Sequence, residues 1–207
     1  MNVVGDGEAV LVLAPEPQEA LVSMLTARFR VLTTGPGEGA ADALDELGDA
    51  RCAVIGISTA AIEALELATA ERVDALVLLS PLLPDELPAE AMAAWELPVL
   101  IFGGEDDPLV GVDALERLNE AIPSSTLGLL PGCGHDLLAD APETLLPMIH
   151  EYLRARYLHA PHGHGAGGVV MLQLEKRPPW VDLAPYTEED GEPVVPEPDE
   201  QEVGPNA

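Results

Sequence analysis

The stretch VIGISTAA, residues 54–61, runs from a buried-looking apolar strand through Gly56 and Ile57 into Ser58, then into an alanine-rich helix. Two readings compete for Ser58. Serine is among the best residues for opening a helix, because its hydroxyl accepts a bond from an orphan backbone N–H. A serine on a tight strand–turn–helix elbow can also be a nucleophile, provided a base is at hand. The eight residues alone do not choose between them, so the answer lies in the rest of the chain.

Outward from this stretch, short apolar runs alternate with amphipathic segments. The pattern predicts strands over 9–14, 29–34, 51–57, 73–81, 97–104 and 124–132. It predicts helices over 17–29, 41–49, 59–70, 109–122 and 142–158, with Leu21, Leu44 and Leu47 facing inward. Strands alternating with helices imply crossover connections and a parallel sheet. The near-continuous Val, Ile and Leu runs fit strands covered on both faces. Right-handed crossovers bring the C-terminal ends of the strands to one edge, where ligand sites of open α/β sheets lie.

Composition sets the outer limits. A chain of 207 residues predicts one domain with a tail: 1–158 for the domain, 159–207 for the tail. Aromatic residues make up only 3%, so the core must be built from aliphatic side chains. A net charge of −28 argues against nucleic acid and anionic membranes as partners. The N-terminus lacks the basic segment and cleavage site of a secretory signal, and no apolar run is long enough to span a bilayer. The expectation is a cytoplasmic protein with Cys52 and Cys133 as buried free thiols. Within the tail, 169–186 reads as a docking segment for a protein partner or a second copy. The acidic, proline-rich end reads as disordered. His159, His162 and His164 are read as an adventitious cluster rather than a metal site, and Trp95 and Trp180 as packing residues.

The residues just after the strands carry the chemistry. Ser58 follows the third strand, Asp107 the fifth within FGGEDDPLV, and His135 the sixth within PGCGHDLLADAPE. Acyl transfer needs this set. An imidazole takes the serine proton, and a buried carboxylate fixes the imidazole tautomer and stabilises the imidazolium. Taken singly, each has a plainer reading: Asp106 and Asp107 as acids opening the next helix, His135 as a loop histidine, Cys133 as packing.

In order and at these strand ends, the motifs resemble the α/β-hydrolase fold family over about residues 9–157. VIGISTAA resembles the nucleophile elbow, LPVLIFGGEDDPLV the acid strand and its turn, and PGCGHDLLADAPE the histidine loop. RVDALVLLSP resembles the strand after the nucleophile helix. The resemblance implies a mostly parallel sheet with helices on both faces, from which this short chain departs by lacking the first two strands at its N-terminal end. It implies Ser58, Asp107 and His135 as catalytic residues and the N–H groups of Thr59 and Glu16 as oxyanion donors. No metal or organic cofactor is implied.

The chain also departs from the family pattern. Ala14-Pro15-Glu16-Pro17 stands where His-Gly is frequent, and the two prolines offer no N–H. Ala60 stands where glycine is commonest. The cap insertion is reduced to residues 82–96, which leaves an open site suited to small esters or thioesters. The leading expectation is a serine hydrolase of carboxylic esters or thioesters. Its rival is a weakly active or inactive hydrolase-like scaffold, and a lyase or cofactor-free oxygenase on the same fold is a third reading.

Overall fold

The computed structural model describes residues 2–34, 39–48, 50–70, 72–84 and 88–158. The expectations for the tail, including the docking segment 169–186, the histidine cluster and Trp180, lie outside these residues.

All six predicted strands form. They are β2 (Ala9–Leu13), β3 (Arg30–Thr34), β4 (Cys52–Ile57), β5 (Val73–Leu79), β6 (Val99–Gly104) and β7 (Ser125–Leu130). A further strand, β1 (Asn2–Val4), pairs antiparallel with β3 and forms one edge. It partly corrects the expected N-terminal shortening. Its three residues are exposed, so no buried pattern announces it. The sheet order is β1-β3-β2-β4-β5-β6-β7, parallel throughout except at β1.

The predicted helices are α1 (Glu19–Thr26), α2 (Ala40–Glu46), α3 (Ala61–Leu67), α5 (Val112–Ala121) and α7 (Pro142–Leu158). Two single-turn helices, α4 (Ala89–Met92) and α6 (Leu137–Asp140), were not legible as periodic segments because they are too short to show a period. A 3₁₀ turn, Ser58–Ala60, leads into α3. Gly48 ends α2 with φ +62°, the left-handed conformation that glycine adopts without strain.

Strand alternation divides the core in two. Leu11, Leu13, Val54, Leu76 and Leu78 face α2, α3 and α5. Val10, Val12, Ile55, Val77 and Leu79 face α1 and α7, meeting Leu21, Leu25, Leu145, Ile149 and Leu153. Each fully buried Leu or Ile contributes about 1.5–3 kcal/mol. The two phenylalanines of the chain, Phe29 and Phe102, are both fully buried. A Cβ on Gly128 of β7 would lie 2.6 Å from the Phe102 ring, so that glycine makes room for the larger side chain. Both cysteines are free and buried, and Trp95 packs against the α2–α3–α5 side.

The chain passes from β2 out to β3 and returns past β2 to β4. The winding direction therefore reverses between β2 and β4. At that point neighbouring loops diverge and leave a crevice at the strands' C-terminal ends. Leu13 pairs with Gly56 there, so the segment leaving β2 at Ala14–Glu16 departs beside the turn that carries Ser58.

Candidate active site

The turn after β4 is built by close packing. A Cβ on Gly56 would stand 2.5 Å from the Ala64 Cβ and 3.0 Å from the Ala61 Cα. Only glycine lets α3 lie this near the strand. Ser58 then takes φ +54°, a left-handed conformation that costs an L-residue about 1–2 kcal/mol. The tight turn lifts the hydroxyl away from the helix it precedes. That hydroxyl does not cap α3: its hydrogen-bond partner is His135, with Ser58 Oγ 2.8 Å from Nε2. Ala60, where glycine was the commoner expectation, is fully buried without difficulty.

His135 is held by the loop after β7, and that loop is locked to the end of β6. A Cβ on Gly104 would fall 2.1 Å from the Cys133 carbonyl oxygen and 2.3 Å from that of Gly134. The bare backbone allows Glu105 N–H to donate to Leu130 O (3.1 Å) and Asp106 N–H to Cys133 O (3.0 Å). On the far side of the loop, Gly134 N–H donates to Asp140 Oδ2 (2.7 Å). Asp136 caps α6 by accepting from Ala139 N–H (3.1 Å).

Asp106 and Asp107 separate by burial. Asp106 is exposed, whereas the Asp107 side chain is fully buried. A buried carboxylate is stable only when its oxygens are partnered. Oδ1 accepts from Leu109 N–H (2.8 Å) and Val110 N–H (3.1 Å), and Oδ2 lies 2.8 Å from His135 Nδ1. A carboxylate can only accept here, so Nδ1 carries the proton. Nε2 of the neutral ring is then left with its lone pair toward the Ser58 hydroxyl. The imidazole is mostly buried, with 22% of its surface exposed.

Thr59 and Glu16 are both exposed. Thr59 lies in the first turn of its helix, where backbone N–H groups lack intrahelical partners. Glu16 stands in the segment leaving β2, and its carbonyl accepts from Gln18 Nε2 (3.3 Å). Sequence reasoning missed the two N–H donors that clamp Asp107 and the fit of Gly104 against the histidine loop. The Gly-Gly pair at 103–104 was the available signal for the second.

Burial pushes the Cys133 thiol up, with Asp140 and Asp106 adding to the effect, so it stays a neutral packing group beside the site. Among the described residues, no cluster of His, Cys, Asp and Glu could hold a metal ion. No helix among them is long and apolar enough to cross a membrane.

No family model matches the chain, and no curated protein matches it. Solved structures do. A thermophilic esterase from Thermogutta terrifontis is similar with a TM-score of 0.63 at 17% identity, covering 75% of this chain and 92% of that one. The carboxylesterase CesB from Bacillus subtilis gives 0.64 at 15%, covering 74% and 86%. A meta-cleavage product hydrolase, CumD, gives 0.65 at 14%, covering 74% and 93%. Strand order, crossover pattern and these likenesses agree: the chain adopts the α/β-hydrolase fold.

Proposed function

We propose that the protein is a serine hydrolase that cleaves carboxylic esters or thioesters, with Ser58 as nucleophile, His135 as base and acid, and Asp107 as the carboxylate that orients His135. The observation that carries this reading is the continuous hydrogen-bonded line from Ser58 Oγ through His135 to the buried Asp107. As Ser58 Oγ attacks the acyl carbon, its proton passes to Nε2. The carbonyl electron pair moves onto oxygen and then returns, expelling the alcohol or thiol, which takes the proton from Nε2. Water repeats the sequence on the acyl-serine, releasing a carboxylic acid and restoring the hydroxyl. Asp107 stabilises the imidazolium in both halves.

The N–H groups of Thr59 and Glu16 are the oxyanion donors in this reading. Losing one such donor costs about 2.7–4 kcal/mol, or 100- to 1000-fold in rate. The alternative, a catalytically silent scaffold on the same fold, is favoured by Pro15 and Pro17, which leave Glu16 as the single N–H source between them.

Labelling with a fluorophosphonate probe separates the two readings. Wild type is expected to form an adduct mapped to Ser58, and Ser58→Ala and His135→Ala to form none. Folded wild-type protein that resists labelling would leave the scaffold reading standing.

A further inference from the structure

The Ser58 carbonyl accepts two hydrogen bonds. One comes from the Ala61 N–H, within the turn itself. The other comes from outside it: the Leu82 N–H, beyond the end of β5, donates at 3.1 Å. Both lone pairs of that oxygen are therefore used.

The chain supplies the second bond by a detour. Strands β4 and β5 run in register as far as Ile57 and Leu79. The next residue, Ser80, directs its N–H to β6 and donates to Phe102 O (2.8 Å). Backbone groups of a strand face its two neighbours alternately, so residue 81 would be the next donor toward β4. That residue is Pro81, which has no N–H. The chain instead takes a left-handed turn at Ser80, with φ +43°, and Leu82 becomes the donor. Serine adopts this conformation rarely, and such outliers collect at functional sites.

The Ser58 carbonyl shares a peptide unit with the Thr59 N–H. The unit is planar and trans, so the two groups point in opposite directions. Strand β4 stands between β2 and β5. A carbonyl drawn toward the segment after β5 turns the Thr59 N–H toward the segment after β2, where Ala14–Glu16 leaves beside Gly56. Hydrogen bonds accepted by the carbonyl also polarise the peptide and strengthen its N–H as a donor.

Building on the hydrolase reading above, we infer that Leu82 is a positioning residue of the oxyanion hole. Its N–H, brought into place by the left-handed turn at Ser80, holds the Ser58–Thr59 peptide so that the Thr59 N–H faces the Glu16 segment. Leu82 touches no reacting atom and acts only through the Ser58 carbonyl. The donor it aims serves charge that develops in the transition state, so its effect falls on kcat rather than on KM.

The test deletes the Leu82 N–H. Semisynthesis with leucic acid at position 82 puts an oxygen in place of that N–H and keeps the leucine side chain. With p-nitrophenyl butyrate, kcat is expected to fall about tenfold at little-changed KM, short of the roughly 100- to 1000-fold of a lost donor because Ala61 still holds the carbonyl. Affinity for an aryl trifluoromethyl ketone, whose serine adduct carries the oxyanion, should fall by the same factor. The acid limb of the kcat/KM profile, which reports His135, should not move. Leu82→Pro, read against Leu82→Ala, which keeps the N–H, should show the same split. A loss carried by KM with ketone affinity intact would make Leu82 purely structural and overturn the inference. Wild-type kcat and ketone affinity in the leucic acid variant, with Ser58 still labelled by fluorophosphonate, would overturn it while leaving the hydrolase reading intact. An absence of both labelling and ester cleavage in wild type would overturn both.

Discussion

Ser58 and Ser80 leave neighbouring parallel strands in the same left-handed conformation, with φ +54° and +43°, the only non-glycine residues among those described to do so. Their hydroxyls have different surroundings. Ser58 Oγ meets His135, whereas Ser80 Oγ is buried without a hydrogen-bond partner. Ser80 therefore carries two costs: about 1–2 kcal/mol of backbone strain and about 1–3 kcal/mol for the unpaired hydroxyl. Glycine would remove both, at an entropic cost of about 0.5–1 kcal/mol. Ser80→Gly is expected to stabilise the protein by about 1 kcal/mol or more, read as a higher urea midpoint with an unchanged slope. A lower midpoint would mean that the hydroxyl is bonded in solution.

Asp107→Asn should preserve the fold and remove nearly all activity. The N–H groups of Leu109 and Val110 require an acceptor at the Oδ1 position. The asparagine carbonyl must take that place, which turns its NH₂ toward His135 Nδ1. The ring then keeps its proton on Nε2 and cannot accept one from Ser58. A fall in kcat of about 10⁴-fold is expected, with an unchanged circular dichroism spectrum. Retention of a tenth of the wild-type rate would contradict the assignment.

At Gly104, an added methyl group would meet two backbone carbonyls, and no rotamer change relieves such a contact. Gly104→Ala is expected to cost about 1–3 kcal/mol by overpacking. It should also slow Ser58 labelling about 100-fold, because a shift of about 1 Å in His135 is enough for a loss of that order. Thermal denaturation and labelling rate should change together. Either quantity left at its wild-type value would show that the histidine loop is not anchored there.

Alkaline pH should destabilise the fold through Cys52. Burial, aided by the Asp74 carboxylate and partly offset by Arg72 and Arg51, pushes its thiol from 9.0 up to about 11. Between these values the folded chain keeps a proton that the unfolded chain has lost, so unfolding is increasingly favoured as pH rises. This contribution is fully present below pH 9 and gone above about pH 11. It amounts to about 2–3 kcal/mol. Burial likewise raises the Tyr152 phenol, with Arg156 opposing, and adds to the same trend. Urea unfolding across this window should show the decline, and a shallower decline in Cys52→Ala would assign its share to the thiol.

The parallel core was legible because its strands are buried on both faces. Runs such as AVLVL in β2 and VDALVLL in β5 are apolar enough to stand out without neighbours. The grouping of Ser58, Asp107 and His135 was legible for a related reason, since each lies within a few residues of the end of such a run. Strand β1 was not, because three exposed residues owe their strand geometry to pairing with β3 rather than to their own pattern. The single turns α4 and α6 depend in the same way on what they pack against. The partner of one close approach escaped: Gly103-Gly104 marks a place for such an approach, but the sequence does not indicate that the Cys133 carbonyl will lie against Gly104. The orphaned hydroxyl of Ser80 is equally silent in the sequence, where LLSP reads as an ordinary strand end.

The Ser58–His135 hydrogen bond joins residues 77 positions apart, and this separation bears on how the protein folds. Contacts this distant in sequence form only after the intervening loop entropy has been overcome, so topologies rich in them fold slowly. Here β5 and β6 lie between β4, which leads into Ser58, and β7, whose following loop carries His135. The bond cannot close until all four strands are in register. On refolding, recovery of Ser58 reactivity should therefore lag behind secondary structure and report the last docking event of the chain.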